Sequence, residues 1–194
     1  YAPEPGTNPG FLYQQQTVRD AVLASLNLNI FINHCERVRI ANLAQTVNVL
    51  QAVILTEGDG GRMVLTPTWH VFALYAAHQG AKRLRVEGSM KTLQHAGLEY
   101  PVVSATASLA ADGSINVTAC NTDSENSVEL ELTLDRPLTP PTAQVIAAAQ
   151  MNACNTGDHP DAVVAKPLTG VTVKGSTLHA TLPPGSVAAF RFVS

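Results

Sequence analysis

Val128-Glu129-Leu130-Glu131-Leu132-Thr133-Leu134-Asp135 is the most regular stretch of the chain. Aliphatic residues at the even positions alternate with acidic or hydroxyl residues at the odd ones, the two-residue period of a strand with one face buried and one solvated. The same grammar extends outward through everything after residue 80. Asp112-Gly113 and Lys174-Gly175 write tight hairpin turns, flanked by alternating segments at 106–109 and 115–119 and at 171–173 and 178–182. A last strand is expected at 187–193, whereas 143–151 fits helix or strand equally well. Short strands parted by turns, with weak helical periodicity and no internal repeat, predict a β-sandwich or jelly roll.

Upstream, residues 17–79 mix helix and strand. Thr17 can cap a helix in which Val18, Val22, Leu26 and Ile30 recur every four residues, with Arg19 and Asp20 beginning the polar side. Leu26, Leu28, Ile30 and Ile32 also alternate like a strand, but the length of the segment favours helix. After the polar break His34-Cys35-Glu36-Arg37, residues 38–43 read as a short strand running on towards 44–46. A second apolar stretch at 49–56 ends at the turn Glu57-Gly58-Asp59-Gly60-Gly61. Thr66-Pro67 then places a hydroxyl cap before a proline at the first helical position, with Val71, Leu74, Tyr75 and His78 on one face and Gly80 closing the helix. Helix, strand, helix is the order of an α/β fold. The chain therefore divides into an α/β part, 1–80, and an all-β part, 81–194.

Composition narrows the function. Of 194 residues, 45% are apolar and 14% charged, against roughly 25% charged in ordinary soluble domains, so a disordered polyelectrolyte is excluded. Twelve basic and fifteen acidic residues give a net charge of -3 with no basic run, which leaves no footprint for nucleic acid or an anionic membrane surface. No apolar stretch approaches the roughly 20 residues that cross a bilayer, and a soluble chain is expected. The opening Tyr1-Ala2-Pro3-Glu4-Pro5-Gly6-Thr7-Asn8-Pro9-Gly10 has no initiator Met, basic segment or hydrophobic leader; it reads as a loop entered in mid-chain.

Motifs alone supply little chemistry. His70 and His78 are two turns apart, and no histidine pair has metal-ligand spacing, so neither a metal nor a cofactor is called for. His34 and Cys35 are adjacent and point apart on a helix, which favours a satisfied helix-end histidine over a nucleophile pair. Glu129 and Glu131 lie on the solvated face of their strand. Asp158-His159-Pro160-Asp161 reads as a capped turn without a nucleophile. Gly58, Gly60 and Gly61 lead into a strand-like run, not into a phosphate-binding helix. No complete active site is written in the chain.

The run from Thr17 to Leu50, Thr-Val-Arg-Asp-Ala-Val-Leu-Ala-Ser-Leu-Asn-Leu-Asn-Ile-Phe-Ile-Asn-His-Cys-Glu-Arg-Val-Arg-Ile-Ala-Asn-Leu-Ala-Gln-Thr-Val-Asn-Val-Leu, resembles the closing part of the catalytic barrel of glycoside hydrolase family 51, the α-L-arabinofuranosidases. Met63-Val-Leu-Thr-Pro-Thr-Trp-His-Val-Phe72, with Tyr75 and His78-Gln79, resembles that family's last barrel helix. Met151-Asn-Ala-Cys-Asn-Thr156, Asp161-Ala-Val163 and Pro183-Pro-Gly-Ser-Val187 resemble its C-terminal sandwich, and the similarity is collinear from Tyr1 to Phe192. The resemblance implies the last βα units of a (β/α)8 barrel followed by a jelly-roll-like β-sandwich. It implies a retaining glycosidase that removes terminal non-reducing α-L-arabinofuranosyl residues from arabinoxylan or arabinan oligosaccharides. Both catalytic glutamates would lie upstream of Tyr1, and the upstream part of the same enzyme would be the obligatory partner; a chain of this extent is not expected to fold alone. A homo-oligomer follows by analogy with the family.

One position matches a family substrate contact. Gln45, in Ala44-Gln45-Thr46-Val47-Asn48, would fall at the C-terminal end of the eighth barrel strand, the face on which barrel enzymes build their sites. Its amide can donate to and accept from a sugar hydroxyl; a purely structural tie across the barrel mouth is the other reading. Asn48 is assigned to the structural group. The sequence departs from the family pattern at Cys154, where histidine is more usual. Cys120 and Cys154 are either a disulfide across neighbouring strand ends, which leans the location to periplasmic or secreted over cytoplasmic, or two buried free thiols. Cys35 is free on both readings. The competing function is a non-catalytic carbohydrate-binding β-sandwich, which would have no need of residues 17–79.

Overall fold

The computed structural model describes residues 15–43, 46–57 and 61–193. The first helix, α1 (Val18–Asn33), begins where the sequence places it. The Asp20 carboxylate takes the Thr17 N–H and hydroxyl, both at 2.8 Å, fixing the first turn. The face it buries differs from the one expected. Val18, Ala21, Val22, Ala24, Ser25 and Asn29 are buried, whereas Ile30 is 53% exposed and Asp20 only 2%. Small and polar residues face inward here, because the surface against which α1 packs is itself partly polar.

Residues 38–43, expected to be a strand, form none, and Ile40 is 80% exposed. A strand exists only with a ladder partner, and among the described residues this segment has none. The next apolar stretch does pair, with β1 (Ile54–Glu57) antiparallel to β2 (Arg62–Leu65). The second helix, α2 (Pro67–Tyr75), is capped by Thr66, whose Oγ1 accepts the Trp69 N–H at 3.3 Å. A single 3-10 turn (Ala76–His78) follows, and Gly80 at φ +70° ends it. Val71, Leu74, Tyr75 and His78 are all buried, as the spacing predicts.

The rest is antiparallel sheet. A six-stranded sheet holds β3 (Lys82–Leu84), β6 (Val103–Leu109), β7 (Ile115–Asn121), β9 (Thr142–Ile146), β10 (Lys166–Pro167) and β13 (Ser186–Phe192), in the order β10-β9-β13-β7-β6-β3. A three-stranded sheet orders β11 (Thr172–Lys174), β12 (Thr177–Leu182) and β8 (Val128–Thr133) as β11-β12-β8. Both expected hairpin turns are made, joining β6 to β7 and β11 to β12. The ambiguous 143–151 stretch resolves as strand only to residue 146, the end of β9, and its remainder is irregular. A separate hairpin, β4 (Thr92–His95) with β5 (Leu98–Pro101), turns at Ala96 and Gly97, both with positive φ; the sequence reading contains no counterpart to it.

Three layers result. Ile115, Val117, Ala119, Phe190 and Phe192 point from the large sheet towards Leu178, Ala180 and Leu182 of the small one. The intervening residues face the helices, where Cys120, Ile146 and Val187 join Val18, Val22, Val71 and Leu74 in a second core. Strand β7 is thus buried on both faces along its whole length. The segment around 151–155 clamps the start of α1. Val18 N–H donates to Ala153 O and Arg19 N–H to Met151 O, each at 3.0 Å. Met151 lies over Gly185, where a Cβ would overlap its sulfur.

Candidate functional site

Gln45 lies outside the described residues, but the chain that follows it is described. The Thr46 carbonyl accepts the N–H groups of Val53 and Ile54, each at 3.1 Å, and Asn48 N–H returns a bond to Ile54 O at 3.1 Å. Asn48, at φ +57°, places its side chain across the loop: Oδ1 takes the Thr56 N–H at 2.8 Å and Nδ2 donates to Thr56 Oγ1 at 2.6 Å. This is the structural amide expected of it.

The loop 46–56 is held from two helix starts. Thr66 Oγ1, at the head of α2, donates towards Ala52 O at 2.9 Å and Val53 O at 3.2 Å. Gln51, also at φ +57°, donates through Nε2 to Asp20 Oδ1 at 2.9 Å, reaching the head of α1. Ala52, Leu55 and Val64 form a small core beneath. Sequence reasoning found neither Asp20 nor Gln51. Thr17-x-x-Asp20 is a capping-box spacing that marks Asp20 as a helix-start carboxylate, but nothing local pairs it with a residue 31 positions away.

A second polar cluster ties the helices to the large sheet. The Tyr75 hydroxyl lies 2.7 Å from both Ser25 Oγ and Asn29 Oδ1. Asn29 Nδ2 donates to Ser104 O at 3.0 Å, and Asn33 Nδ2 to Ala105 O at 2.9 Å. His78 is bracketed by hydroxyls, Ser108 Oγ at 2.7 Å from Nδ1 and Thr118 Oγ1 at 3.1 Å from Nε2. Burial pushes the His78 pKa down to about 4, the Cys120 thiol up to about 11, and the Tyr75 phenol well above its ordinary range. These groups are held neutral and matched, the condition of a structural joint.

The other candidates take ordinary places. His34 caps the end of α1, its N–H bonded to Ile30 O at 3.1 Å, and Cys35 beside it is exposed. Glu129 accepts from Thr181 at 2.8 Å across the outer face of the small sheet, and Glu131 stands 3.8 Å from His179. Asp158 pairs with Arg62 at 3.1 Å, linking the capped turn to β2. Asn155, within the Met151–Thr156 segment that carries the resemblance, is buried and bridges Leu65 O, Val163 O and Val163 N–H at 2.7 to 2.9 Å. Among the described residues no group of three or more His, Cys, Asp or Glu could hold a metal.

The disulfide reading is corrected. All three cysteines are free: Cys35 exposed, Cys120 buried and Cys154 half-buried. Cys120 faces the helices beside Ser25, while the Cys154 backbone bridges Thr17. The argument for an oxidising compartment is thereby removed. No described helix is long and apolar enough to cross a membrane.

Known proteins give this arrangement a context. The α-L-arabinofuranosidase C-terminal domain family matches residues 1–186. An intracellular exo-α-L-arabinofuranosidase of Bacteroides ovatus is 37% identical over 190 residues, 97% of this chain and 37% of the relative. An intracellular exo-α-(1→5)-L-arabinofuranosidase of Streptomyces lividans is 31% identical over 94% of the chain and 28% of its own length. The crystal structure of a family 51 arabinofuranosidase from Xanthomonas axonopodis pv. citri superposes with a TM-score of 0.93 at 43% identity, over 99% of this chain and 39% of that one. The chain thus spans 28% to 39% of the length of these relatives. It belongs to the α-L-arabinofuranosidase C-terminal domain family, within glycoside hydrolase family 51.

Proposed function

We propose that this chain is the C-terminal portion of an exo-acting α-L-arabinofuranosidase that removes terminal non-reducing arabinofuranosyl residues from arabinoxylan or arabinan oligosaccharides. The observation that carries the reading is the likeness to the Xanthomonas enzyme, TM-score 0.93 at 43% identity over 99% of the chain. That agreement includes α1 and α2 as well as the sandwich, and a free-standing carbohydrate-binding module has no use for the helices. On this reading residues 1–80 are the last βα units of the barrel and 81–194 a jelly-roll-like domain bracing it. Relatives named as intracellular, together with three free thiols, favour the cytoplasm.

The chemistry is retention. One upstream carboxylate attacks the anomeric carbon while a second, about 5 to 5.5 Å away, protonates the departing oxygen and then activates water. Gln45 is the residue of this chain assigned to the sugar, its amide matching hydroxyl groups that lose water on binding. In the complete enzyme, hydrolysis of p-nitrophenyl α-L-arabinofuranoside should release β-free, α-configured arabinose first, as proton NMR of the fresh product reports. Gln45→Ala should lower kcat/KM by about 1 to 3 kcal/mol of transition-state binding. Absence of arabinose release would defeat the reading, and unchanged kinetics in the variant would remove Gln45 from the site.

A further inference from the structure

We propose that the recess between α2 and the six-stranded sheet, floored by Ala189 and edged by Asn116, Thr142, Gln144 and Arg191, is a binding site for a neutral pentose oligosaccharide. The inference rests on the arabinofuranosidase reading for the identity of the sugar, and on the recess itself for the existence of the site.

Residues paired directly across an antiparallel ladder project to the same face, so rungs can be followed across β7, β13 and β9 on the side towards the helices. Cys120, Val187 and Ile146 make one rung, buried completely beneath the helices. Thr118, Ala189 and Gln144 make the next, and Asn116, Arg191 and Thr142 the one after it. Over these last two the cover of α2 runs out. Asn116 still reaches the helical segment, donating through Nδ2 to Ala77 O at 3.2 Å, but Thr142, Gln144 and Arg191 are exposed. Ala73 and Ala77 are too short to fill the gap from above, and Ala189 keeps the floor low between larger neighbours. The result is an open recess of about 360 Å³, within the roughly 300 to 1,000 Å³ of small-ligand sites.

The groups on its edge suit sugar hydroxyls. An amide donates and accepts, and a hydroxyl does both, so Gln144 and Thr142 can each meet a sugar O–H that needs a partner once it loses water. Among the described residues neither side chain is engaged in another hydrogen bond. Arg191 has donors to spare beyond its 2.7 Å bond from Nη2 to Asp112 Oδ2. Because that ion pair cancels the charge of the guanidinium, the recess holds no net charge to attract an anion. A neutral polyhydroxyl ligand is the class that matches.

Thr142→Ala/Gln144→Ala removes two of these groups from exposed positions of β9. In the complete enzyme the double variant should keep kcat/KM on p-nitrophenyl α-L-arabinofuranoside within about twofold of the unaltered value. Its KM on an oligosaccharide should rise roughly fivefold or more, since each lost hydrogen bond weakens binding several-fold. A linear arabinofuranosyl hexasaccharide and an arabinosyl-substituted xylohexaose are assayed separately, and the one whose KM rises identifies the source of the sugar chain. Unchanged KM on both oligosaccharides overturns the site. An equal loss on the p-nitrophenyl substrate also overturns it, because the damage would then be to the enzyme as a whole. An enzyme that releases no arabinose from any substrate defeats the functional reading instead. The site is then judged by calorimetric titration of the same oligosaccharides: binding that weakens roughly fivefold or more in the double variant upholds it, and absent or unaltered binding overturns it.

Discussion

The two faces of the six-stranded sheet are built from the same strands and held by different physics. Towards the small sheet, β7 and β13 present Ile115, Val117, Ala119, Ala188, Phe190 and Phe192, a continuous apolar layer. Towards the helices the alternate positions are Asn116, Thr118, Cys120 and Val187, Ala189, and the helices answer with Ser25, Asn29, Tyr75 and His78. The first face tolerates any close-packed apolar partner. The second accepts only a partner whose donors and acceptors fall in register, because each unmatched buried group costs about 1 to 3 kcal/mol. Burial therefore supplies stability on one side, and polar matching supplies a defined seating for the helices on the other.

Truncation of the apolar face should have the largest effect. Phe190 is 1% exposed and among the largest fully buried side chains. Phe190→Ala should destabilise the complete protein by about 3 to 5 kcal/mol, read from the urea midpoint. A loss under 1 kcal/mol would mean that the two sheets are not the stabilising core.

Acid should open the polar face first. Burial holds His78 neutral, with a folded pKa of about 4 against 6.5 in the open chain. Between those values only the unfolded chain takes up the proton, so the contribution is complete above pH 6.5 and is lost as pH falls towards 4. With partial solvent access allowed for, about 2 kcal/mol should disappear across that interval. His78→Gln, which cannot titrate, should show a shallower decline in urea midpoint between pH 7 and pH 4.5. Parallel declines would show that His78 is already hydrated in the folded state.

This contrast also explains what could be read in advance. The strands of the small sheet were legible because one of their faces meets water, so Val128 to Thr133 alternates in residue type as well as in burial. The hairpin turn at Asp112-Gly113 was legible because tight turns need particular residues. The double burial of β7 was not, since Asn116 and Thr118 look like solvent-facing residues until the helices are placed over them. The inward face of α1 was misread for the same reason: small and polar residues pack against polar strands, while Ile30 is left outside. A strand at 38–43 was inferred from alternation, which reports a pattern and says nothing of a ladder partner. Cys120 and Cys154 were expected at neighbouring strand ends, but Cys120 lies inside β7 in the helix-side core and Cys154 outside any strand, bridging Thr17, and both thiols are free. Residue type and resemblance singled out Gln45, which lies outside the described residues, and marked Asn48 as a structural amide. Asp20 and Gln51 were not singled out, because their pairing depends on the tertiary path of the loop.

The smallest of the expected effects is also the one that separates matching from burial most cleanly. Tyr75 is 5% exposed, and its ring packs with Val71, Leu74 and Val22 whether or not it carries a hydroxyl. Tyr75→Phe keeps that packing and deletes the bonds at 2.7 Å to Ser25 and Asn29. If the polar face were merely tolerated, the change would be neutral or slightly stabilising, since a buried hydroxyl is replaced by nothing that needs a partner. If the matched network seats the helices, Ser25 Oγ and Asn29 Oδ1 lose their shared partner and about 1 to 2 kcal/mol should be lost. Ser25→Ala in the Tyr75→Phe background should then cost less than Ser25→Ala alone, the coupling that a double-mutant cycle by urea unfolding reads out. Additive losses would place the hydroxyl outside the network and leave helix docking to apolar contact alone.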